Sequence, residues 1–484
     1  RGDSPAGWNR PLVQVREQVR VCRVCGHLNP SNDSTRCINC WSFLTGVDLV
    51  PRDQAPQRSR LPKLHVWRRR YLYSVLVATL ALIIWPIANR LDPVPLLFAP
   101  PGASSIAEPS TGPNAWPQSR NGSRNTGYTS AEAPLPDRVR WTYTSPEPLI
   151  NSPSVVDGRV YLAMEDDRTI ALDVQSGNVL WEYDSGWPSS STPAVTGDTV
   201  ISAVRPGIVV ALDRFTGKLK WENITGSPIL SSPVIADGTV YIGSADSSVH
   251  ALDVATGKTR WVFPTGSWVV EGPAYADGTL TVASLDSELY IIGDRTARRQ
   301  LIYDTGRGRH ISGGPVVQGN KVYVGTEDGS IWALDRKART YPFERGLLFW
   351  KVNFYIWGII DAPIQKGTIW TNRVVSGMTK GIAVAPDAAY AGGRTGKVSA
   401  VDLESGDEIW VTNLGSEVTS SPTVAGKTVM MGTMDGRVVG LDRVSGEIAW
   451  EFQTGGKVTA SPVVAENTLF ITSTDGNLYA IQGP

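Results

Sequence analysis

From about residue 150 to the end, short apolar runs alternate with clusters of Gly, Asp, Ser and Thr. The clearest unit, Ser231 to Gly266, reads SSPVIADGTVYIGSADSSVHALDVATGKTRWVFPTG. It predicts four short strands, SPVIA, TVYIG, SVHALD and TRWVF, each apolar or alternating and each bounded by turn residues. The unit recurs: Pro153, Pro193, Pro233 and Pro273 are 40 apart, and Trp141, Trp181, Trp221 and Trp261 keep the same spacing. Four short antiparallel strands per 40 residues is the sequence form of a propeller blade. No segment of helical period and useful length stands out in this body.

Later units keep the pattern less strictly. Leu301 stands at the Trp position of the fourth. The fifth has Gly314-Pro315 and Ala333-Leu334-Asp335; the sixth has Ala400-Val401-Asp402 and Trp410; the seventh has Pro422, Leu441-Asp442 and Trp450. The eighth has Pro462 and ends at Tyr479-Ala480-Ile481 without an outer strand, while Val139 to Tyr143 is an outer strand without a blade. Joining the two closes a ring and removes the sheet edges. The fold class expected is all-β, an eight-bladed β-propeller of four-stranded antiparallel blades over residues 116–484, interrupted by one insertion at about 336–380.

In Ala251-Leu252-Asp253 to Trp261, Asp253 and Thr256-Gly257 form the hairpin before the outer strand, with Gly supplying positive φ. The Trp on that strand can then pack on a neighbouring blade. Trp141, Trp181, Trp221, Trp261, Trp410 and Trp450 are the expected docking residues. These repeats resemble the tryptophan-docking motifs of the quinoprotein-like propellers, and Trp116 to Tyr128, WPQSRNGSRNTGY, resembles the lead-in seen before many of them.

The resemblance implies one of two activities. One branch of that family is the pyrroloquinoline-quinone (PQQ) alcohol and sugar dehydrogenases; the other is non-enzymatic and includes a lipoprotein scaffold of outer-membrane assembly. The enzymes need calcium held by carboxylates and amides, a catalytic Asp and planar groups around the quinone, and they build the site on long insertions. Here most units are minimal, and Glu327, Asp361 and Asp387 are carboxylates that nothing in the sequence converges. No catalytic residue and no quinone are expected. The body holds His250 and His310 as its histidines and no phosphate loop or nucleophile triad pattern. The expected role is a non-catalytic scaffold for protein partners. The alternatives are a quinone-dependent dehydrogenase, and a ligand-sensing module coupled to the head of the chain. The candidate partner surface is the insertion, with Phe349, Phe354, Tyr355, Trp357 and Trp370. In a plainer reading Trp350 is the docking residue of blade five and the rest packs on the disc; Asp361 to Asn372 would imitate the first two strands of a blade.

The N-terminal part differs in kind. Tyr71 to Ala88 carries no charge in 18 residues, with Tyr71, Tyr73 and Trp85 near its ends. It predicts a transmembrane helix followed by a Pro/Ala/Ser-rich linker at 89–115. Lys63 and Arg68 to Arg70 precede it and Arg90 follows, so the head is expected in the cytoplasm and the propeller outside. A cleaved signal peptide is the competing reading. The four cysteines, Cys22, Cys25, Cys37 and Cys40, form two CxxC pairs. Two such knuckles supply a tetrahedral thiolate shell, so structural zinc is expected in a ribbon at about 20–44. Two disulfides or a redox CxxC remain open. The run Val21 to Trp41, with its GHxNP stretch, resembles the small zinc ribbons of bacterial membrane proteins. Residues 1–70 hold 13 Lys/Arg against 5 Asp/Glu, which the membrane topology explains better than nucleic-acid binding does.

Overall fold

A computed structural model describes residues 18–23, 27–30, 35–38, 43–55, 73–76, 79–80, 114–306, 309–339, 344–360 and 365–483. The chain forms two compact units, Arg1–Asn89 and Arg90–Pro484.

Among the described residues of the second unit, eight sheets each carry a full set of four antiparallel strands. The second blade is typical: Ala194–Thr196, Thr199–Val204, Ile208–Asp213 and Leu219–Ile224. Its second strand is buried at every position, because blades pack on both of its faces. Its outer strand alternates between exposed and half-buried, because one face meets a neighbouring blade and the other meets water. The sixth blade, the weakest in pattern, is complete, with strands Ala383–Val384, Ala388–Gly392, Lys397–Asp402 and Glu408–Asn413.

The eighth blade draws on both ends of the unit. Asn477–Gln482 pairs antiparallel with Arg138–Thr144, with Ala480 opposite Trp141. The seventh gains a fifth strand, Tyr128–Thr129, parallel to Thr423–Ala425.

Two faces of the disc follow from the connections. Hairpins between first and second strands lie beside those between third and outer strands, as Arg214 N–H to Asp198 O at 2.8 Å shows. On the opposite face, connections between blades lie beside second-to-third hairpins, as Thr225 N–H to Gly207 O at 2.7 Å shows. We call these the hairpin face and the channel face.

The segment Trp116 to Tyr128 circles the axis and bonds to the innermost strands of seven blades. Val155, Val195, Tyr275, Val317, Val384 and Val424 donate their N–H groups to Trp116, Pro117, Ser123, Arg124, Thr126 and Gly127, at 2.6–2.9 Å. Ile235 donates instead to the Gln118 side chain at 2.8 Å. Innermost strands are sheet edges, and the lead-in satisfies the donors they would otherwise leave unpaired. The tight circuit places Arg120, Asn121 and Asn125 at positive φ.

Three expectations about the body need correction. A helix does form, Glu344–Ile356, inside the insertion. The segment at 368–373 is the outer strand of blade five, paired with Ser330–Asp335, and not the start of a new blade. Trp350 is therefore not the docking residue of blade five; Trp370 is, because it occupies the outer-strand position opposite Ala333.

In the first unit, Gln18–Val21 lies between Leu28–Pro30 and Leu49–Pro51 in an antiparallel sheet. Most of the expected membrane span lies outside the described residues; 73–76 and 79–80 are helical. Among the described residues no helix is long and apolar enough to cross a membrane.

Candidate functional site

The docking girdle explains the repeat in atomic terms. Trp141, Trp181, Trp221, Trp261, Trp370 and Trp410 each donate the indole N–H to the backbone carbonyl 33 residues on, in the third-to-outer hairpin of the next blade. These bonds measure 2.7–3.0 Å. In five of the six the ring lies on the glycine 36 residues on; Ala297 takes that place for Trp261. A Cβ on Gly217 would stand 2.7 Å from the Trp181 ring, so that glycine serves close approach as well as its φ of +70°. The hairpin Asp fixes the turn: Asp253 Oδ1 accepts from Thr256 N–H at 3.0 Å and from its hydroxyl at 2.8 Å.

Two seams depart from this. Leu301 stands where blade four should dock on blade five, and blade five has the insertion in place of the receiving hairpin. Tyr303 and Trp332 fill that seam edge to face, with centroids 5.9 Å apart. Trp450 faces blade eight, whose third and outer strands come from opposite ends of the unit, so no hairpin glycine awaits it. Its ring lies over Gly440 of its own blade and packs, as Ala131 and Ala133 do, against a cluster of residues from blades seven and eight. The expectation that Trp450 docks like the others is corrected on that ground.

At the axis lies a polar cavity of about 180 Å³, opening toward the channel face. Ser152, Ser190, Thr192, Ser232, Ser421 and Ser461 ring it, with Arg120, Glu271 and Lys380 as its charged members. Arg120 reaches across the lead-in circuit to donate to the Ile382 carbonyl. Burial lowers its pKa to about 10, opposed by the Glu271 charge. Burial also raises the Glu271 carboxyl above its ordinary range, opposed by Lys380 and Arg120. Asn125 and Asn151 are committed to backbone carbonyls, Asn125 to Pro273 at 2.9 Å and Asn151 to Ala163 and Ser189 at 2.8 Å. Among the described lining residues there is no Asp, no His and no aromatic ring.

The carboxylates weighed in the sequence do not meet at this channel. Asp387 pairs with Arg443 at 3.4 Å, Glu327 does not line the cavity, and Asp361 lies outside the described residues. Among the described residues no cluster of three or more His, Cys, Asp or Glu could hold a metal.

The insertion carries the exposed aromatics. Phe354, Tyr355 and Trp357 are exposed, as is Trp350 at 52%. The Trp350 and Phe354 rings are tilted to each other with centroids 6.3 Å apart, and Phe354 and Trp357 meet edge to face at 6.0 Å. The Phe349 side chain lies outside the described residues. Trp370 leaves the candidate partner surface: it is 9% exposed and docked on blade six.

Residues the sequence did not single out are Arg120, Glu271, Lys380 and, on the channel face, Trp187 and Trp268. Both tryptophans are about half exposed, at 52% and 50%. Leu285 N–H donates to Trp268 O at 3.0 Å, placing that Trp beside the second-to-third hairpin of blade four. The available signal was a Trp off the docking register, since 187 and 268 fall outside the period that places the others.

In the head, Cys22 and Cys37 are buried and share a cluster with Leu44. Asn29 connects the parts: its amide donates to His27 O at 3.0 Å and Cys37 Sγ at 3.5 Å, and its oxygen accepts from Ile38 N–H at 2.9 Å. Cys25 and Cys40 lie outside the described residues.

Comparison with known proteins adds the following. The family model described as "Outer membrane protein assembly factor BamB" matches residues 135–223, 184–268 and 359–483, together more than half of the chain. No curated protein matches. Among solved structures, BamB from Moraxella catarrhalis is 18% identical, with 71% of this chain and 97% of that one covered at a TM-score of 0.58. Quinohemoprotein alcohol dehydrogenase from Comamonas testosteroni is 15% identical, covering 77% and 81% at 0.60. The computationally designed Ika8 protein is 16% identical, covering 73% and 99% at 0.58. A scaffold-family protein, an enzyme and a designed chain match about equally, so these likenesses show the propeller fold alone.

Proposed function

This chain belongs to the outer membrane protein assembly factor BamB family, and from that premise we propose that its propeller is a non-catalytic scaffold for protein partners. The observation that carries this reading is the chemistry of the axial cavity. A quinone site with calcium calls for several oxygen ligands around the ion and planar groups against the ring. The cavity offers one carboxylate, Glu271, beside two cations, and its amides already serve backbone carbonyls. At about 180 Å³ it is also smaller than the roughly 300–1,000 Å³ typical of cofactor-sized sites. The donor set does not fit that cofactor.

Partners meet the channel face in this reading. Trp187, Leu230, Trp268 and Leu285 expose apolar area there across blades one to four, and such area on a rigid disc suits protein recognition. The head is a structural zinc ribbon on Cys22, Cys25, Cys37 and Cys40, and residues 71–88 tether the propeller outside the membrane. Two measurements test the proposal. Co-purification of the intact chain should yield a protein partner that is lost on W187A/W268A substitution. Reconstitution with quinone and calcium should give no dye reduction; turnover would sink the scaffold reading.

A further inference from the structure

We propose that the axial cavity binds a small zwitterion of the amino-acid class, its carboxylate held by Arg120 and Lys380 and its ammonium by Glu271. The inference goes beyond the scaffold reading and does not depend on which protein the channel face meets.

The repeat itself exposes the site. Each innermost strand is entered through a connection that helps to wall the cavity, with Pro153 and its repeats (Ile382 in blade six) just before the strand. Two residues before that position, four blades carry a small polar side chain that bonds the end of their own second strand. Asn151 donates to Ala163 O at 2.8 Å, Ser191 to Ala203 O at 2.9 Å and Ser231 to Gly243 O at 2.9 Å; Ser420 Oγ accepts from Gly432 N–H at 2.8 Å. Blades four and six give up that bond. The same position holds Glu271 in one and Lys380 in the other, with Gly313 in blade five between them. Among the described residues neither charged side chain has a hydrogen-bond or ion-pair partner, and the two do not pair with each other. Departures from a locally consistent pattern gather at functional sites.

The wall between the two charges is bare backbone. Gly272, Gly314 and Gly381 fill the next position in blades four to six, where the other five blades have Ser152, Thr192, Ser232, Ser421 and Ser461. A Cβ on Gly314 would stand 2.7 Å from Gly272 O, so this wall admits no side chain there.

Two uncharged vacancies in the hydrogen bonding accompany the charges. Arg120 donates Nη2 to the Ile382 carbonyl, and its Nη1 is buried without an acceptor. Thr459 Oγ1 is also buried without a partner. At the same place in blades six and seven, Thr379 donates to Val418 O at 3.1 Å and Thr419 to Val458 O at 2.7 Å. Buried polar groups in native proteins are satisfied with few exceptions, so two orphans in residues lining one cavity call for a polar occupant.

Charge and size choose its class. A plain anion would suit the two cations but set a second negative charge beside Glu271, whose charged form burial already disfavours. A plain cation would suit Glu271 and be repelled by Arg120 and Lys380. A zwitterion answers all three groups with charge-assisted hydrogen bonds. The volume, about 180 Å³, lies below the roughly 300 Å³ at which cofactor-sized sites begin, so the molecule is small.

The test is calorimetric titration of the full chain in detergent with glycine, L-alanine and L-serine. Acetate and methylamine, which carry the two halves of glycine, are the comparison ligands. Saturable binding of at least one amino acid is expected, tighter than that of either half. Glu271→Gln should weaken it roughly tenfold or more, the strength of one hydrogen bond to a charged group, without weakening acetate. Lys380→Met should weaken the amino acid and acetate together, and Lys380→Arg should restore both. Lys380 is exposed, so its variants carry the test even where Glu271→Gln lowers the melting temperature. Three results overturn the proposal. One is no saturable binding of any of the three amino acids. Another is acetate binding as tightly as they do, which would make the cavity a plain anion site. The third is binding undiminished in both Glu271→Gln and Lys380→Met, which would place the ligand elsewhere. Partner capture that is lost on W187A/W268A is a separate readout, so the scaffold reading stands or falls independently.

Discussion

Trp350 and Trp370 sit in the same blade, 20 residues apart, and have opposite fates. Trp370 is buried and bonded to the Leu403 carbonyl at 3.0 Å; Trp350 stands exposed on a helix. Side-chain chemistry is identical, so the difference lies in what waits at a fixed distance along the chain. Thirty-six residues after Trp370 is Gly406, whose missing Cβ makes room for the ring; 36 after Trp350 is Pro386. Each docked propeller Trp meets a hairpin carbonyl of the next blade and a residue at positive φ 36 positions on, glycine in five of the six seams and Ala297 in the other. The same rule explains Leu301, which faces a blade whose hairpin has become the insertion, and Trp450, which faces a break between chain ends.

The largest test is truncation. Trp370→Ala should cost about 3–5 kcal/mol, the usual range for a buried Trp. Trp350→Ala should stay within about 0.5 kcal/mol, as exposed substitutions do. Equal melting shifts for the two would break the comparison. Next comes the receiving side. Gly217→Val should cost about 2–4 kcal/mol, since it combines a clash with the Trp181 ring and a β-branched residue at positive φ. Gly358→Ala shares the positive φ, +70°, but meets open space, so its effect should be confined to about 1 kcal/mol of local strain. Denaturant midpoints of the pair separate close approach from backbone strain.

A broader effect concerns acid. The Asp213 carboxyl is held below its ordinary range, chiefly by the Thr216 hydroxyl, and Asp173 likewise by Ser176. Asp402 and Asp442 are held low chiefly by the backbone N–H groups of Ser405 and Ser445. A carboxyl with a lowered folded pKa contributes stability that is present above its unfolded pKa, about 3.9, and lost as pH falls through the folded value. Melting temperature should therefore hold down to about pH 4 and drop below it. Asp213→Ala should lessen that drop, while substitutions in the insertion leave it unchanged.

The smallest effect is expected at Glu271, whose pKa is raised by burial. A raised carboxyl favours the fold below its unfolded pKa, about 4.3, and that advantage is lost as pH rises through the folded value. Glu271→Gln avoids the loss, so its melting temperature relative to the natural chain should rise between pH 4 and pH 8. A constant difference would mean that Arg120 and Lys380 fully offset the burial.

Much of the fold was legible. The 40-residue period placed the eight blades, and the orphan strand at Val139 to Tyr143 announced how the ring closes. The insertion was legible as an interruption, but its contents were not. Trp350 and Trp370 are equally good docking residues by local pattern, and the rule that separates them became visible once the carbonyl and glycine of the neighbouring blade were seen in place. The channel was less legible still. Arg120, Glu271 and Lys380 come from three distant stretches that no spacing relates, and ring closure brings them to one axis.

The sequence by itself determined the repeat, the blade count and the closing strand, because these depend on local alternation and on contacts repeated at one offset. The tertiary structure decided which tryptophans dock, which charges meet at the axis and which face carries the insertion. Those outcomes depend on the ring as a whole: a side chain is buried or exposed, paired or alone, according to what a neighbouring blade places beside it.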